Sequence, residues 1–329
     1  MPETVKIGFV GTGGIANHHL GNLSQIEGVQ IIALCDVVEE RAKATAEKFG
    51  GRAYTDYHEM IEKEDLDGMY VCIPPFAHTD AEILAVEKGF HLFVEKPVVL
   101  ELETGIKISE AVKKARVISS VGYGSRYSNA ADAARKFLST RTIGMVACER
   151  WGGVPGGSEH WWRVMAKSGG MLHEMATHQV DLIRFLAGDI VEVYKKDALR
   201  VNTDLENFTV PDSEIVTMVF ESGAIGYITT CCAFTQGGGS GRMDFVLDGH
   251  MMLRYSRRRL EIVPEGAATI EVEDKQMFSI DEAFIHAIKT GDASVVRSPY
   301  PDALKSAAVS IAANQSAKEG RPVKVPATE

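Results

Sequence analysis

Long apolar segments, motif-spaced cysteines and an excess of positive charge are all missing from this sequence. Its 329 residues include five cysteines, none of them in a C-x-x-C spacing, and 35 basic against 45 acidic side chains. Such cysteines are typical of buried, reduced thiols, so we expect a cytoplasmic protein. No run approaches the ~18 apolar residues that a membrane-spanning helix needs, and we therefore expect no membrane association.

The net charge of −10 also disfavours nucleic-acid binding. The one basic run, Arg257-Arg258-Arg259, is three residues long, and we interpret it as a solvated strand end or turn. The composition, 45% hydrophobic and 24% charged, is that of a soluble globular protein. The length of the chain suggests two domains.

Short apolar runs alternate with helical stretches in the first part of the chain. The runs are Val5–Val10, Gln30–Leu34, Gly68–Ile73, His91–Val94 and Val117–Val121. Between them, Glu39–Phe49 and Ala77–Lys88 have helical periodicity. This alternation predicts βαβ units and a parallel sheet, and hence an α/β Rossmann domain over residues 1–122.

Residues 123–329 have a different pattern, which predicts an α+β domain for substrate binding and oligomerisation. A helix at Asn129–Leu138 is followed by long alternating strands. The predicted strands are Met145–Arg150, Ser213–Glu221, Ala224–Phe234, Arg242–Leu247, Met251–Tyr255, Leu260–Val263 and Thr269–Val272. Helices are predicted at Phe278–Thr290 and at about 302–318. We expect a large, mainly antiparallel open sheet, covered by another subunit in a homodimer or homotetramer.

A dinucleotide-binding fingerprint follows the first apolar run. In Gly11-x-Gly13-x-x-Ala16, the first glycine permits a tight turn, the second lets a pyrophosphate approach, and Ala16 permits close packing of the helix. The N-terminus of that helix favours phosphate. The predicted cofactor loop therefore consists of Gly11, Thr12, Gly13, Gly14 and Ile15.

Asp36 ends the second apolar run and can accept hydrogen bonds from both ribose hydroxyls of an adenosine. Its charge would repel a 2′-phosphate, which favours NAD. NADP is not excluded, because Arg41 is within reach in sequence. On the helix after the glycines, we interpret His18 and His19 as packing or surface residues.

Two further strand ends should reach the same edge of the sheet. Ile73-Pro74-Pro75 stops one strand, and the next polar residue, His78, either contacts the cofactor or caps a helix. Glu95 and Lys96 end the next strand before Pro97, and we assign both to the cofactor site. The Lys96 ammonium can stabilise negative charge on a reacting oxygen; the alternative is a surface lysine beside a turn.

The stretch GGMLHEMATHQVDL, residues 169–182, resembles a zinc-protease helix, but its histidines, His173 and His178, are five residues apart and cannot share a metal. We expect no metal site. In a continuous helix, Glu174, His178 and Asp181 form one stripe opposite an apolar face. His178 is the best candidate base, because its ordinary pKa is close to neutral. Glu174 orients it or binds a substrate hydroxyl, and Asp181 contacts the substrate or anchors the others.

Further candidates for substrate binding are aromatic residues and arginines. They are Tyr123 and Arg126, with Trp161, Trp162 and Arg163 in a loop. Tryptophan offers an apolar face to sugar C–H groups, and arginine offers forked donors to hydroxyls or acids. Alternatively, one tryptophan belongs to the core and the other fills the loop.

The order VGTGGIA, ALCD, IPP, EKP and SGGMLHEMATHQVDL resembles the Gfo/Idh/MocA oxidoreductase family over nearly the whole chain. The resemblance implies that Lys96 and His178 form the catalytic pair, with Glu174 at a position where the family usually has Asp. It also implies that Trp162 and Arg163 lie near the nicotinamide and that the helix at about 302–318 packs back on the Rossmann domain.

The activity implied by this resemblance is NAD(P)-dependent hydride transfer to or from a secondary CH–OH group or ketone of a sugar, polyol or sugar acid. Three alternatives stay open at this point. One is a hydrolase or lyase that works by transient internal redox, another is a non-catalytic NAD-bound sensor, and the third is reduction of an imine or unsaturated ring.

Overall fold

A computed structural model describes residues 4–154, 156–234, 238–257, 259–272 and 278–329. Arg258, within the predicted basic turn, lies outside the described residues. The chain forms two compact units. The first unit comprises residues 1–124, 277–304 and 329, and the second comprises residues 125–276 and 305–328. The assignment of 1–122 to nucleotide binding and of 123–329 to substrate binding and oligomerisation stays a prediction.

The regular elements are numbered along the chain. The strands are β1 (Val5–Val10), β2 (Val29–Cys35), β3 (Arg52–Tyr54), β4 (Gly68–Val71), β5 (His91–Val94), β6 (Ser119–Val121), β7 (Ile143–Trp151), β8 (Ile190–Ala198), β9 (Ser213–Phe220), β10 (Ile225–Cys231), β11 (Gly241–Leu247), β12 (Met251–Tyr255), β13 (Leu260–Val263) and β14 (Val323–Lys324). The helices are α1 (Gly14–Leu23), α2 (Glu39–Phe49), α3 (Tyr57–Lys63), α4 (Ala81–Glu87), α5 (Leu102–Ala115), α6 (Asn129–Leu138), α7 (Met165–Ser168), α8 (Gly170–Glu174), α9 (Thr177–Ala187), α10 (Ile280–Thr290) and α11 (Tyr300–Glu319).

The first unit is built on a parallel sheet with the strand order β3-β2-β1-β4-β5-β6. The apolar side chains of the central strand, Val5, Ile7 and Phe9, are fully buried. Phe284 and Ile285 of α10 join the same core. This strand order is that of the doubly wound nucleotide-binding fold, and it brings the carboxyl ends of β1, β4 and β5 to one edge. The predicted Rossmann fold is confirmed.

The second unit contains a sheet with the order β13-β12-β11-β7-β10-β9-β8-β14, in which β7 and β10 are parallel and the other neighbours are antiparallel. Residues of β9 alternate between buried and exposed. Val216, Met218 and Phe220 face the core, where they cluster with Leu172 and Ile183. The predicted mainly antiparallel sheet is confirmed.

Several predicted boundaries differ from the structure. Residues 269–272, predicted as a strand, have no regular structure, whereas the short strand β3 was not predicted. The predicted helix at 77–88 is a 3₁₀ turn, Pro75–Ala77, followed by α4. The predicted strands at 68–73 and 117–121 are shorter, since β4 ends at Val71 and β6 begins at Ser119.

A fully buried lysine, Lys195, lies in the sheet of the second unit. Its ammonium donates to Glu214 Oε1 at 2.7 Å and to Asn314 Oδ1 at 2.9 Å. Thr230 donates to the other Glu214 oxygen. Asn314 donates in turn to the carbonyl of Gly169 at 2.8 Å. This polar network therefore reaches the glycine pair that precedes α8.

Candidate active site

In the first unit, the loop between β1 and α1 has the geometry that the fingerprint requires. Gly11 has φ +88°, and a Cβ there would overlap the carbonyl oxygen of Cys72. A Cβ at Gly13 or Gly14 would meet nothing within 4 Å. Open space beside the first backbone N–H groups of a helix is what a pyrophosphate needs. The loop therefore fits a dinucleotide, and its outermost side chain, Ile15, is exposed.

Asp36 is tied to this loop. One carboxylate oxygen accepts from the backbone N–H and the hydroxyl of Thr12, at 2.9 and 3.0 Å. The other oxygen accepts from the backbone N–H of Val38 at 2.9 Å. These bonds fix the carboxylate at the end of β2, where the predicted ribose contact requires it. Arg41 is exposed on α2.

The turn after β4 lies at the same edge. Ile73 and Pro74 are half-buried and Pro75 is buried. His78 Nδ1 bonds to Glu82, and its Nε2 lies 3.3 Å from the carbonyl oxygen of Ile73. Both ring nitrogens therefore have partners, one in α4 and one in the turn, and the predicted contact of His78 with the cofactor stays a prediction.

Glu95 and Lys96 follow β5 at this edge. Glu95 is buried, and its Oε2 accepts from the backbone N–H of Lys96 at 3.0 Å. The Lys96–Pro97 peptide bond is cis. Lys96 is half-buried. Farther along the chain Tyr123, predicted to bind substrate, is fully buried.

In the second unit, the prediction of one continuous helix over residues 169–182 is wrong, because the backbone departs from a single helix at two places. Gly169 and Gly170 both have positive φ. α8 ends at Glu174, and α9 begins at Thr177, with Met175 and Ala176 in a turn. The stripe of Glu174, His178 and Asp181 is therefore distributed over two short helices and is not one helical face.

The three polar residues of this segment that were predicted to belong to the site differ in exposure. Glu174 is 3% exposed and Asp181 is 0% exposed, whereas His178 is half-buried. The apolar residues Leu172 and Ala176 are buried, as the periodicity predicts. Of the three polar side chains, His178 is therefore the most accessible to a substrate. The catalytic roles of His178 and Glu174 stay predictions.

Arg126 and Asp181 form a buried ion pair. Arg126 Nε donates to Asp181 Oδ2 at 2.8 Å, and its Nη2 donates to Oδ1 at 2.6 Å. The Ser306 hydroxyl adds a third bond at 2.9 Å. Such a forked pair is geometrically specific and fixes both side chains. The anchoring role that the sequence left open for Asp181 fits this geometry, and direct substrate contact by either residue stays a prediction.

The tryptophan loop is a 3₁₀ turn over Trp161–Arg163, and all three of its residues are half-buried. The rings of Trp161 and Trp162 meet edge-on at 5.8 Å. His160 packs against both rings. Arg163 Nη2 donates to the carbonyl of Gly156 at 2.8 Å. That these residues bind the nicotinamide or the substrate stays a prediction.

The described residues also bear on metal binding and on membrane-spanning helices. No group of three or more His, Cys, Asp or Glu side chains there is arranged to hold a metal ion. None of the helices in the same ranges is long and apolar enough to cross a membrane.

Models of known families match both units. Residues 5–123 match an oxidoreductase family described as having an NAD-binding Rossmann fold, and residues 133–261 match the C-terminal domain of the GFO/IDH/MocA family. The chain belongs to the GFO/IDH/MocA family. This confirms three predictions for the chain, namely its family, its Rossmann fold and NAD as its cofactor.

Individual relatives agree with this membership. Myo-inositol 2-dehydrogenase from Thermotoga maritima is 29% identical over 238 residues, which cover 68% of this chain and 67% of that protein. The NAD⁺-dependent scyllo-inositol 2-dehydrogenase of Bacillus subtilis is 28% identical over 233 residues, 69% of this chain and 67% of that protein. Among solved structures, the WlbA dehydrogenase from Bordetella pertussis, in complex with NADH and UDP-GlcNAcA, has the same fold. Its TM-score is 0.83 at 21% identity, over 98% of this chain and 99% of that one.

Proposed function

We propose that this protein is an NAD-dependent dehydrogenase that acts on a secondary CH–OH group, or the matching ketone, of a sugar, polyol or sugar acid. The observation that carries the proposal is the position of Lys96. It follows β5 at the same edge of the parallel sheet as the Gly11–Ile15 loop. A cofactor held by that loop and a cation able to polarise a substrate oxygen therefore belong to one edge.

The cofactor would be held by residues of the first unit. The backbone at Gly13 and Gly14, at the start of α1, faces open space suited to the pyrophosphate. Asp36 would bind the adenosine ribose. Bound NAD supplies the acceptor for the hydride that leaves the substrate carbon.

The remaining chemistry concerns the hydroxyl group. As the C–H bond is lost, the C–O bond gains double-bond character and the hydroxyl proton must leave. We assign that proton to His178, whose ordinary pKa suits general base catalysis at neutral pH. The Lys96 ammonium stabilises the negative charge that develops on the oxygen, and Glu174 orients His178 or binds a neighbouring hydroxyl.

The substrate class is supported by two of the named relatives, which are inositol dehydrogenases. The half-buried rings of Trp161 and Trp162 are suited to the C–H faces of a sugar or polyol. Arg163 completes the proposed substrate contacts, whereas the fully buried Tyr123 offers no surface to a substrate.

The test is NADH formation at 340 nm with NAD across a panel of inositols, free sugars and sugar acids. We expect at least one member of the panel to give a signal that is lost in His178→Ala. Binding of NAD without turnover of any member would favour a sensor. Loss of substrate with no net NADH would favour an internal redox hydrolase or lyase.

We also propose a cytoplasmic homo-oligomer, formed through the sheet of the second unit. The exposed face of that sheet carries Ile215, Val219 and Ile225, and Ile225 is the cross-strand partner of Val219. An apolar sheet face of this kind is typical of an interface. Ile215→Lys should lower the mass measured by light scattering, whereas Val201→Lys, at an exposed loop position, should not. An unchanged mass in Ile215→Lys would contradict the proposed interface.

A further inference from the structure

A buried cluster of charged side chains lies behind the cofactor loop of the first unit. His19 belongs to α1 and is 3% exposed. Its Nδ1 lies 2.7 Å from Asp281 Oδ1, and its Nε2 lies 3.0 Å from Glu95 Oε1. A neutral imidazole has one N–H, so two carboxylate acceptors are both satisfied only by the imidazolium.

The charge state of His19 agrees with this geometry. Burial lowers the pKa of His19, but the hydrogen bonds to Asp281 and Glu95 outweigh burial and raise the pKa to about 9. Cys72 is a further titratable group near both carboxylates, and burial keeps the pKa of its thiol well above the ordinary value. His19 is therefore a fixed cation at neutral pH, in contact with two carboxylates from distant parts of the sequence.

The cluster holds Asp281 and the imidazole firmly. Asp281 Oδ2 accepts from the Asn22 amide at 2.7 Å, and its Oδ1 accepts from the Tyr70 hydroxyl at 3.1 Å. The His19 ring also packs against the rings of Tyr70 and Phe93, with centroids 5.5 and 4.9 Å away. The imidazole therefore has a rigid support on the side away from Glu95.

Glu95 connects this cluster to Lys96. One oxygen of Glu95 bonds to His19, and the other accepts from the backbone N–H of Lys96 at 3.0 Å. A side chain at Gly122 would overlap the Glu95 carboxylate, so the chain is closely packed on that side. The carboxylate is thus confined between an imidazolium, a glycine and the turn that carries Lys96.

We propose that His19 is a positioning residue for Lys96, acting through Glu95. Helix α1, which begins at the cofactor loop, is connected to Lys96 because the Glu95 carboxylate bonds both to His19 and to the backbone N–H of Lys96. Cofactor loop and ammonium are then held in one rigid arrangement without any direct contact between them. The catalytic part of this inference rests on the proposed role of Lys96.

The first experiment measures Lys96 without requiring a substrate. Limiting acetic anhydride is allowed to react with the full-length protein at several pH values, and the labelling of Lys96 is compared with that of exposed Lys88 by peptide mass spectrometry. We expect His19→Gln and Glu95→Gln to change the Lys96 labelling rate in the same direction by about fivefold, the effect of losing roughly one hydrogen bond. The double variant should show little further change, because the two residues act in series.

Two controls separate positioning from a general loss of structure. Tyr70→Phe removes a hydrogen bond to Asp281 but keeps the ring that packs against His19, and His18→Gln changes the exposed neighbour on the same helix. Both should leave Lys96 labelling unchanged. Equal changes in all four single variants, or an unchanged rate in His19→Gln, would overturn the proposal. If His19→Gln does not fold, Glu95→Gln must still alter the rate and His18→Gln must not.

A second readout is turnover of a panel substrate. His19→Gln should lower kcat about fivefold, equivalent to roughly one hydrogen bond, with KM and NADH affinity nearly unchanged, and Tyr70→Phe should not lower it. Normal turnover in Lys96→Ala would refute the proposed catalytic role of Lys96, and the labelling result would then concern only the position of its side chain. Loss of activity in Lys96→Ala together with full activity in His19→Gln would refute only the positioning role of His19.

Discussion

The His19 cluster predicts how the stability of the first unit depends on pH. The folded-state pKa of His19 is about 9 against an ordinary value of 6.5. That difference, at about 1.4 kcal/mol per pH unit, is worth about 3 kcal/mol of unfolding free energy. Because the folded pKa is raised, this contribution is present in full below about pH 6.5 and is lost as the pH rises through about 9.

The assay compares the wild type with His19→Gln between pH 6 and pH 10. Urea unfolding is followed by hydrogen exchange in peptides from β1 and β4, because Trp151, Trp161 and Trp162 all belong to the second unit and do not report on the first. The stability difference between the two proteins should shrink by about 3 kcal/mol over this range. His18→Gln should track the wild type throughout. A stability difference that stays constant with pH would show that His19 is not a cation in the folded protein.

Three further predictions concern the cofactor loop, the ribose contact and the buried lysine. Gly11→Ala should lose both stability and NAD affinity, because a left-handed backbone with an overlapping Cβ costs roughly 1–3 kcal/mol. Gly13→Ala should lose NAD affinity with little change in melting temperature. Equal losses of stability in the two variants would contradict the glycine assignments. Asp36→Ala should raise the use of NADP relative to NAD in initial rates, and an unchanged ratio would rule out the ribose contact. Lys195→Met should destabilise the second unit by about 3–5 kcal/mol in chemical denaturation, because it leaves the Glu214 carboxylate buried without its cation. Adding Glu214→Gln to this variant should recover much of the lost stability. No recovery would argue against the Lys195–Glu214 ion pair.

Regular elements with strong local periodicity could be predicted from the sequence. The bounds of β1, α2 and α6 agree with the prediction because their apolar spacing and flanking residues agree with one another. The strand β3 was missed because it has three residues and little burial, and only its pairing with β2 defines it. The turn at Met175 and Ala176 is also determined by tertiary structure and not by helix propensity, since both residues favour helix.

The site shows the same limit. The glycine loop and Asp36 are adjacent to recognisable strands, so their chemistry could be inferred from spacing. His19 was interpreted as packing or surface because its partners, Glu95 and Asp281, are 76 and 262 residues away in sequence. The forked bond between Arg126 and Asp181, 55 residues apart, was hidden for the same reason. No local pattern signals such pairs.

Dehydrogenation is assigned to Lys96 and His178, with NAD as the hydride acceptor. The most direct measurement is NADH formation at 340 nm with the best panel substrate, for the wild type, Lys96→Ala and His178→Ala, with NADH affinity measured in parallel by fluorescence. We expect both variants to bind NADH with an affinity within about threefold of the wild type and to lose turnover by about 10²-fold or more, because each lacks an acid–base or charge-stabilising group. Turnover near the wild-type rate in either variant would contradict this assignment.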